Sequence, residues 1–371
     1  MKFILKGAAA LSMMAGSAGA GALDRTGQPV NPLFEDGRYI EFSLGYVSPD
    51  LSGTNANPFL GPIGAQSGDI GVGLFSFGGA YKGDINEDWS YALIIDQPFL
   101  SEVDYPTNPF YFGSDASAEF NSVALTALLQ YNFSTGFSAY GGLRLQETDA
   151  EAVIPFAQNY TVEADTDWGL GYVAGVAYER PDIALRVSLT YSSEIAHKND
   201  VVENADVIPV PDLTSTAEFE TPQSVNLEFQ TGIAQDTLLF GGIRWVDWSD
   251  FDLSPQAYSS PGFVGQPLLS YVDDVTTYSI GLGRRLNETW AISGSLSYEE
   301  NTENLFTNLG PNDGLTSVGL AAVYTKDKVT ITTGVRYAWI GDTTTAVQGV
   351  PAAEFNDNTA IAVGFRVGYN F

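Results

Sequence analysis

Ala360-Ile361-Ala362-Val363-Gly364-Phe365-Arg366-Val367-Gly368-Tyr369-Asn370-Phe371 decides the fold. Its odd-numbered positions are all apolar or aromatic, and its even-numbered positions are small or polar. Successive side chains of a strand point to opposite faces, so this is one strand with a greasy face and a small-residue face. The preceding segment repeats the pattern, with Ile331, Val335, Tyr337 and Trp339 opposed to Thr330, Thr332, Gly334, Arg336 and Ala338. So do Ile183, Leu185, Val187, Leu189 and Tyr191 against Ala184, Arg186, Ser188, Thr190 and Ser192.

Between such segments the connections alternate in length. Short turns fall near 83–88, 134–136, 180–182, 234–236, 287–289 and 326–328. Long stretches rich in Pro, Gly and Asp fall near 50–68, 98–117, 148–162, 196–215, 252–270, 302–313 and 342–356. Six short and seven long connections separate fourteen strands and put both termini on the short-turn side, as in an antiparallel outer-membrane barrel. A soluble β-sandwich fits less well, because strands of roughly 10–16 residues exceed the usual 5–6 and reach across a bilayer at a tilt. Aromatics gather near strand ends, among them Trp89, Tyr131, Tyr178, Trp245, Trp248, Trp290, Tyr298, Tyr324 and Trp339, as interfacial girdles require. Phe371, an outward-facing terminal aromatic, resembles the recognition signal read by the barrel-assembly machinery. The fold expected is all-β: a transmembrane antiparallel β-barrel of about 14 strands.

The N-terminus places it. Lys2 and Lys6 precede an apolar run from Gly7 to Ala15 and the small-x-small site Ala18-Gly19-Ala20, the arrangement of a secretory signal peptide. The run is too short for a helical span. The organisation expected is a signal peptide at 1–20, a short hatch segment at 21–37, and a barrel at 38–371 in the bacterial outer membrane.

Composition narrows the function. The 371 residues carry a formal charge of −29, with 16% charged and 44% hydrophobic residues; average soluble domains are about 25% charged. A chain this acidic repels phosphates, so nucleic acid is excluded as a partner. With no Cys, thiol nucleophiles and thiolate metal sites are excluded. The single His, His197, sits in a stretch read as a loop, beside Glu194, Lys198 and Asp200, with Ser192 and Ser193 near. Neighbouring positions seldom build a triad, so no enzyme is expected, and no cofactor or metal. Acidic pairs such as Asp273-Asp274 and Glu299-Glu300 lack the ligand spacing of a calcium loop. They read as solvated rim charges facing outer-membrane lipid and lipopolysaccharide.

The inward face carries Arg144, Arg186, Arg336 and Arg366 among Gly, Ala, Ser and Thr, and Arg244 shares a face with Phe240. These five arginines either pair with interior carboxylates to stiffen the barrel or, for one or two of them, bind the carboxylate of a cargo.

Four local matches carry a resemblance to the FadL/TodX-type outer-membrane transporters of long-chain fatty acids and hydrocarbons. Asn31-Pro32-Leu33, with Tyr39-Ile40-Glu41-Phe42 and Val47-Ser48-Pro49, looks like the family's hatch segment and first strand. Arg180-Pro181-Asp182-Ile183-Ala184-Leu185 running into Leu189-Thr190-Tyr191-Ser192-Ser193-Glu194 is similar to its middle hairpin. Thr221-Pro222-Gln223-Ser224 with Trp245-Val246-Asp247-Trp248-Ser249-Asp250-Phe251 resembles its paired Thr-Pro-x-Ser and Trp-x-x-Trp strands, and the fourth match is the last strand. The resemblance implies a 14-stranded barrel with an N-terminal hatch, and passive uptake of a hydrophobic small molecule into an internal pocket. It also implies sideways release through a break in the third strand. Pro98 and Phe99, in Asp96-Gln97-Pro98-Phe99, stand where that break is expected. One departure is the short run before Asn31: either residues 21–34 form a reduced plug or a long outer loop folds inward instead. The competing function is a general or anion-selective diffusion porin. A monomer is expected.

Overall fold

The computed structural model describes residues 23–208, 212–302 and 304–371; the signal peptide expected at 1–20 lies outside them. Fourteen antiparallel strands close into a barrel. In chain order they are β1 (Tyr39–Asp50), β2 (Leu74–Asp84), β3 in two pieces (Trp89–Asp96 and Leu100–Asp104), β4 (Ser117–Asn132), β5 (Phe137–Ile154) and β6 (Tyr160–Arg180). Then come β7 in two pieces (Leu185–Ser192 and Ile195–Asn204), β8 in two pieces (Leu213–Thr221 and Ser224–Ala234), β9 (Thr237–Val246) and β10 (Val275–Arg285). The last are β11 (Trp290–Glu299), β12 (Leu315–Lys326), β13 (Val329–Ile340) and β14 (Thr359–Asn370). Each strand pairs with its sequence neighbours, and β14 returns to β1 from Tyr39↔Asn370 to Asp50↔Thr359. Closure pairs the first strand with the last, as hydrocarbon requires of any sheet that crosses it.

The alternation sorts as its period implies. Ile361, Val363 and Phe365 are half-exposed on the outer surface, continuing Phe42 and Leu44 of β1 and Val318 and Leu320 of β12 in an apolar belt. Ring pairs bound it at the short-turn end, Trp89 with Tyr131 at 4.9 Å, Trp290 with Tyr324 at 5.0 Å and Tyr369 with Phe371 at 5.1 Å. Tyr337 and Trp339 meet at 4.9 Å nearer the long-loop end.

The lumen is divided. On one wall Gly45, Gly364, Gly334, Ala321 and Ser293 form a single cross-strand row over β1, β14, β13, β12 and β11, leaving space in front of it. The opposite, outer part is filled by L5 (residues 247–274), which folds inward. Its Trp248, Phe251, Leu253 and Leu268 join Phe120, Phe219, Val162 and Val201 of the wall in one buried cluster. Glu203, fully buried on β7, fixes L5: its carboxylate accepts from the backbone N–H of Ala257 and Tyr258 (3.0 Å each), from Tyr160 Oη (2.9 Å) and from Ser215 Oγ (3.1 Å). Over the mouth, outer-loop strands Leu305–Thr307, Thr343–Val347, Val350–Phe355, Ser52–Asn55 and Gln66–Asp69 form a separate five-stranded sheet.

Several sequence expectations need correction. The stretches 148–162 and 196–215 are mostly strand: β5 runs to Ile154, β6 starts at Tyr160, and β7 and β8 rise to Asn204 and from Leu213. Likewise 98–117 contains the second piece of β3. These strands continue above the apolar belt, where their outward residues turn acidic while Phe120, Ala152 and Val162 still face inward. His197 is therefore not on a loop but buried on β7. Trp248 belongs to no girdle; it is 0% exposed, inside the lumen.

Candidate functional site

The third strand of the wall is broken. Asp96 of β3 faces Ala124 of β4, but Leu100 faces Asn121, so β3 carries one residue more than its partner and bulges at Gln97-Pro98-Phe99. Proline has no N–H for the ladder, which suits it to such a place. The bulge turns Phe99 inward, where Ser122 Oγ accepts from its N–H (2.9 Å) and donates to its carbonyl (2.8 Å). On the other side, β2 pairs with β3 only from Asp84↔Ser90 to Gly79↔Ile95. Among the described residues, Leu74–Gly78 of β2 has no ladder partner on that edge, and the Phe77 N–H donates to Gln97 Oε1 at 3.0 Å.

The N-terminal segment occupies the lumen beside this gap. Leu23 O accepts from the Leu100 N–H (3.0 Å) and the Arg25 N–H donates to Pro98 O (2.8 Å), so the segment supplies bonds to β3 that β2 does not. Thr26 Oγ1 donates to Asp96 Oδ2 at 2.6 Å. Gly27 and Gln28 then take positive φ, 67° and 53°, a left-handed turn that glycine enters without a Cβ penalty. A 3₁₀ turn follows at Asn31–Phe34. Val30 and Leu33 bury against Ala80, Ala92, Ile94, Leu128 and Val173, filling the short-turn half of the barrel. Residues 21–34 and an inward loop were set out as alternatives for the plug; the described part of the segment, 23–34, and L5 both enter the lumen.

The five candidate arginines separate. Arg244 is committed, its Nε donating to Asp24 Oδ2 at 2.6 Å and one Nη to Asn226 Oδ1 at 2.7 Å. Arg186 donates to Asn31 Oδ1 at 3.1 Å and sits 4.7 Å above the Phe34 ring, an arrangement that adds cation–π attraction. Arg144, on β5, is bonded to Thr126 Oγ1 at 2.9 Å and Ser192 Oγ at 3.2 Å. Arg366 Nε is 3.8 Å from Glu41 Oε2. Together with Arg186, Arg244 and Arg336, Arg366 lines a cavity of about 250 Å³ between the hatch and the small-residue wall. The cavity reaches Ser76, Phe77, Asp96 and Leu100 at the β2–β3 gap. Pro98 and Phe99 stand at that gap, and Asn31, Pro32 and Leu33 close the lumen below; Asn31 Nδ2 donates to Glu228 Oε1 at 3.2 Å.

Electrostatics in the hatch follow from burial. The Arg25 guanidinium is pushed below its ordinary value by burial, with Tyr271, Asp24 and Glu299 pulling it back. Burial, reinforced by Glu41, raises the Glu35 carboxyl to about 7.

Asp24, Thr26, Asp96 and Trp248 were not among the expected site residues. Asp24 stands 220 positions from Arg244, with no local signal linking them. An Asp24→Ala chain is expected to leave the Arg244 charge buried and uncompensated, a cost of about 3–5 kcal/mol borne by hatch docking. Cysteine labelling of a Thr26→Cys position should then accelerate at least tenfold without a change in barrel melting. An unchanged labelling rate would show that the pair does not hold the hatch.

Residues 8–209 match the family described as outer membrane protein β-barrel domain. No curated protein matches the sequence. Among solved structures, a FadL homologue of Pseudomonas aeruginosa is similar over 100% of both chains, at 15% identity and a TM-score of 0.74. The toluene transporter TodX of Pseudomonas putida is similar over 100% of both chains at 14% identity and a TM-score of 0.65. The toluene transporter TbuX of Ralstonia pickettii matches 97% of this chain and 98% of its own, at 13% identity and a TM-score of 0.64.

Proposed function

From its membership of the outer membrane protein β-barrel domain family, which places this chain in the bacterial outer membrane, we propose that it carries hydrophobic small molecules passively across that membrane. Cargo enters at the mouth, reaches the cavity beside the hatch, and leaves sideways between β2 and β3. The observation that carries this reading is the gap itself. A wall that leaves Leu74–Gly78 without a ladder partner beside a cavity has a reason to do so, because unpaired backbone in hydrocarbon is costly. The shared fold with a FadL homologue and two toluene transporters supports the same cargo class. Transfer of each CH₂ out of water supplies about 0.8 kcal/mol, so neither a cofactor nor an energy source is needed. Phe371, 60% exposed at the short-turn end, supports recognition by the assembly machinery.

The charged lining of the cavity favours a second reading, a diffusion porin. Uptake of oleate and toluene by proteoliposomes holding the purified barrel, read beside single-channel recordings, separates the two. Saturable uptake above protein-free vesicles with little ion current is the expected result. A wide, steady conductance without such uptake would replace the carrier by a porin.

A further inference from the structure

The ladder between β6 and β7 also fails, at a place far around the wall from the β2–β3 gap. Pairing runs from Leu185↔Arg180 to Ser192↔Val173, stops, and resumes from Val201↔Ala164 to Asn204↔Thr161. The cause is a phase error. β6 carries an extra residue near Asp165–Asp167, where its register with β5 shifts, and on β7 the inward-facing positions change from even to odd numbers across Ser193-Glu194. Between these points, residues that would stand directly opposite point to opposite faces of the wall, and a regular ladder cannot form.

One backbone bond, from the Ser193 N–H to Tyr172 O (2.9 Å), and several side chains replace it. Gly169 and Gly171 of β6 face the lumen, and Ile195 and His197 of β7 lie across them. A Cβ at Gly171 would be 2.6 Å from Ile195 Cγ1, and one at Gly169 would be 2.9 Å from His197 Cε1. The stitches are the Tyr172 N–H to Ser193 Oγ (2.9 Å), the Lys198 N–H to Asp167 Oδ2 (3.0 Å) and Asn199 Nδ2 to Asp165 O (2.8 Å). Outside, Trp168, Leu170 and Tyr172 are exposed and the charged Asp165 and Lys198 follow, which puts the seam at the outer edge of the apolar belt. Inside, the His197 ring stacks on Phe219 at 5.5 Å, and Phe219 meets Phe120 and Phe251 at 6.0 and 5.8 Å. In the same layer Gln146 Nε2, His197 Nε2 and Asn199 Oδ1 are buried without a hydrogen-bond partner. Buried polar atoms are nearly always paired, so three unpartnered ones behind one seam offer an entering hydrogen-bonding group something to meet.

We propose that the β6–β7 seam is a second lateral site, where an amphipathic hydrophobe passes between the outer edge of the membrane and the aromatic cluster. Its body is alkyl or aromatic, and its single hydrogen-bonding group meets Gln146, His197 and Asn199. The proposal rests on the carrier reading and goes beyond its β2–β3 path.

The chain has no cysteine, so a Gly171→Cys, Ile195→Cys pair is its only thiol pair. The 2.6 Å contact, extended by one C–C bond of about 1.5 Å, brings the two Cβ atoms within the reach of a disulfide, about 3.5–4.5 Å. The full chain is placed in lipopolysaccharide-containing vesicles with a diazirine-bearing long-chain alcohol, irradiated, and its labelled peptides are mapped. Oxidising the pair should lower labelling of Phe219 and Phe251 at least fivefold while leaving labelling at Phe77 and Phe99 unchanged. Equal labelling of the cluster before and after oxidation overturns the seam. Labelling of the original chain at Phe77 and Phe99 alone overturns only the seam, and labelling at neither place overturns the carrier reading as well. If the cysteine pair does not fold, a Gln146→Leu, His197→Leu chain serves: it should lose at least fivefold of any preference for the alcohol over the matching alkane probe, and a retained preference overturns the proposal.

Discussion

Deletion of Pro98 alone should lower uptake of an alkyl-chain probe at least tenfold in a barrel that still folds and inserts. The expectation comes from register. Asp96↔Ala124 and Leu100↔Asn121 differ by one residue, so removing one residue from Gln97-Pro98-Phe99 puts both pieces of β3 in a single register with β4. The strand then runs straight past Leu74–Gly78 of β2, whose unpaired edge gains ladder partners, and the wall closes. The bonds to Leu23 and Arg25 lose their place at the same time. Pro98→Ala restores an N–H but keeps the extra residue, so it should fall between the deletion and the original chain. Uptake is measured in proteoliposomes beside heat-modifiable mobility as a folding check. Undiminished uptake by a correctly folded deletion chain would remove the sideways exit from the mechanism.

Truncating Trp248 to Ala should convert a nearly closed lumen into an ion-conducting one. Trp248 is wholly buried and meets Phe99, Phe251 and Tyr271 at ring distances of 5.5, 5.5 and 5.1 Å. It joins L5 to the bulge in β3. Large-to-small changes at such sites cost about 3–5 kcal/mol. The barrel ladder does not depend on Trp248, so the loss falls on loop docking rather than on the wall. With L5 released, conductance in planar bilayers should rise several-fold, with thermal unfolding of the barrel little changed. Conductance equal to the original chain would mean that L5 does not plug the lumen.

What could be read without coordinates, and what could not, divides along physical lines. Strand faces and strand order were readable, because lipid on one side forces Ile361, Val363 and Phe365 outward and a short turn admits only antiparallel neighbours. The break at Pro98 was placed by the resemblance, and proline's missing donor suits the bulge found there; an extra residue in β3 relative to β4 shows only in the register. Strand ends were misjudged at 148–162 and 196–215 because acidic residues there resemble a loop, although the strands only leave the membrane and keep pairing. Trp248 was assigned to a girdle because its motif is set in sequence, whereas its burial depends on a loop folding back through the mouth. The Asp24–Arg244 pair joins the first described turn to the ninth strand, and no spacing rule links such distant positions. The β6–β7 seam was beyond reach for a similar reason: a parity error in two strands shows only when both registers are known.

The small-residue row over β1, β14, β13, β12 and β11 separates two properties that most proteins encode together. The hydrogen bonds that hold those strands are made by backbone, which is the same at every residue. The calibre of the bore is made by side-chain volume, which at Gly45, Gly364, Gly334, Ala321 and Ser293 is close to the minimum available. Scaffold and aperture are thus written in different atoms, and the aperture can be graduated by side-chain volume, wider at Ala321 and Ser293 and narrower at Gly45 once the Ser76 hydroxyl, 2.5 Å from a Cβ there, turns aside, while the ladder keeps its backbone bonds.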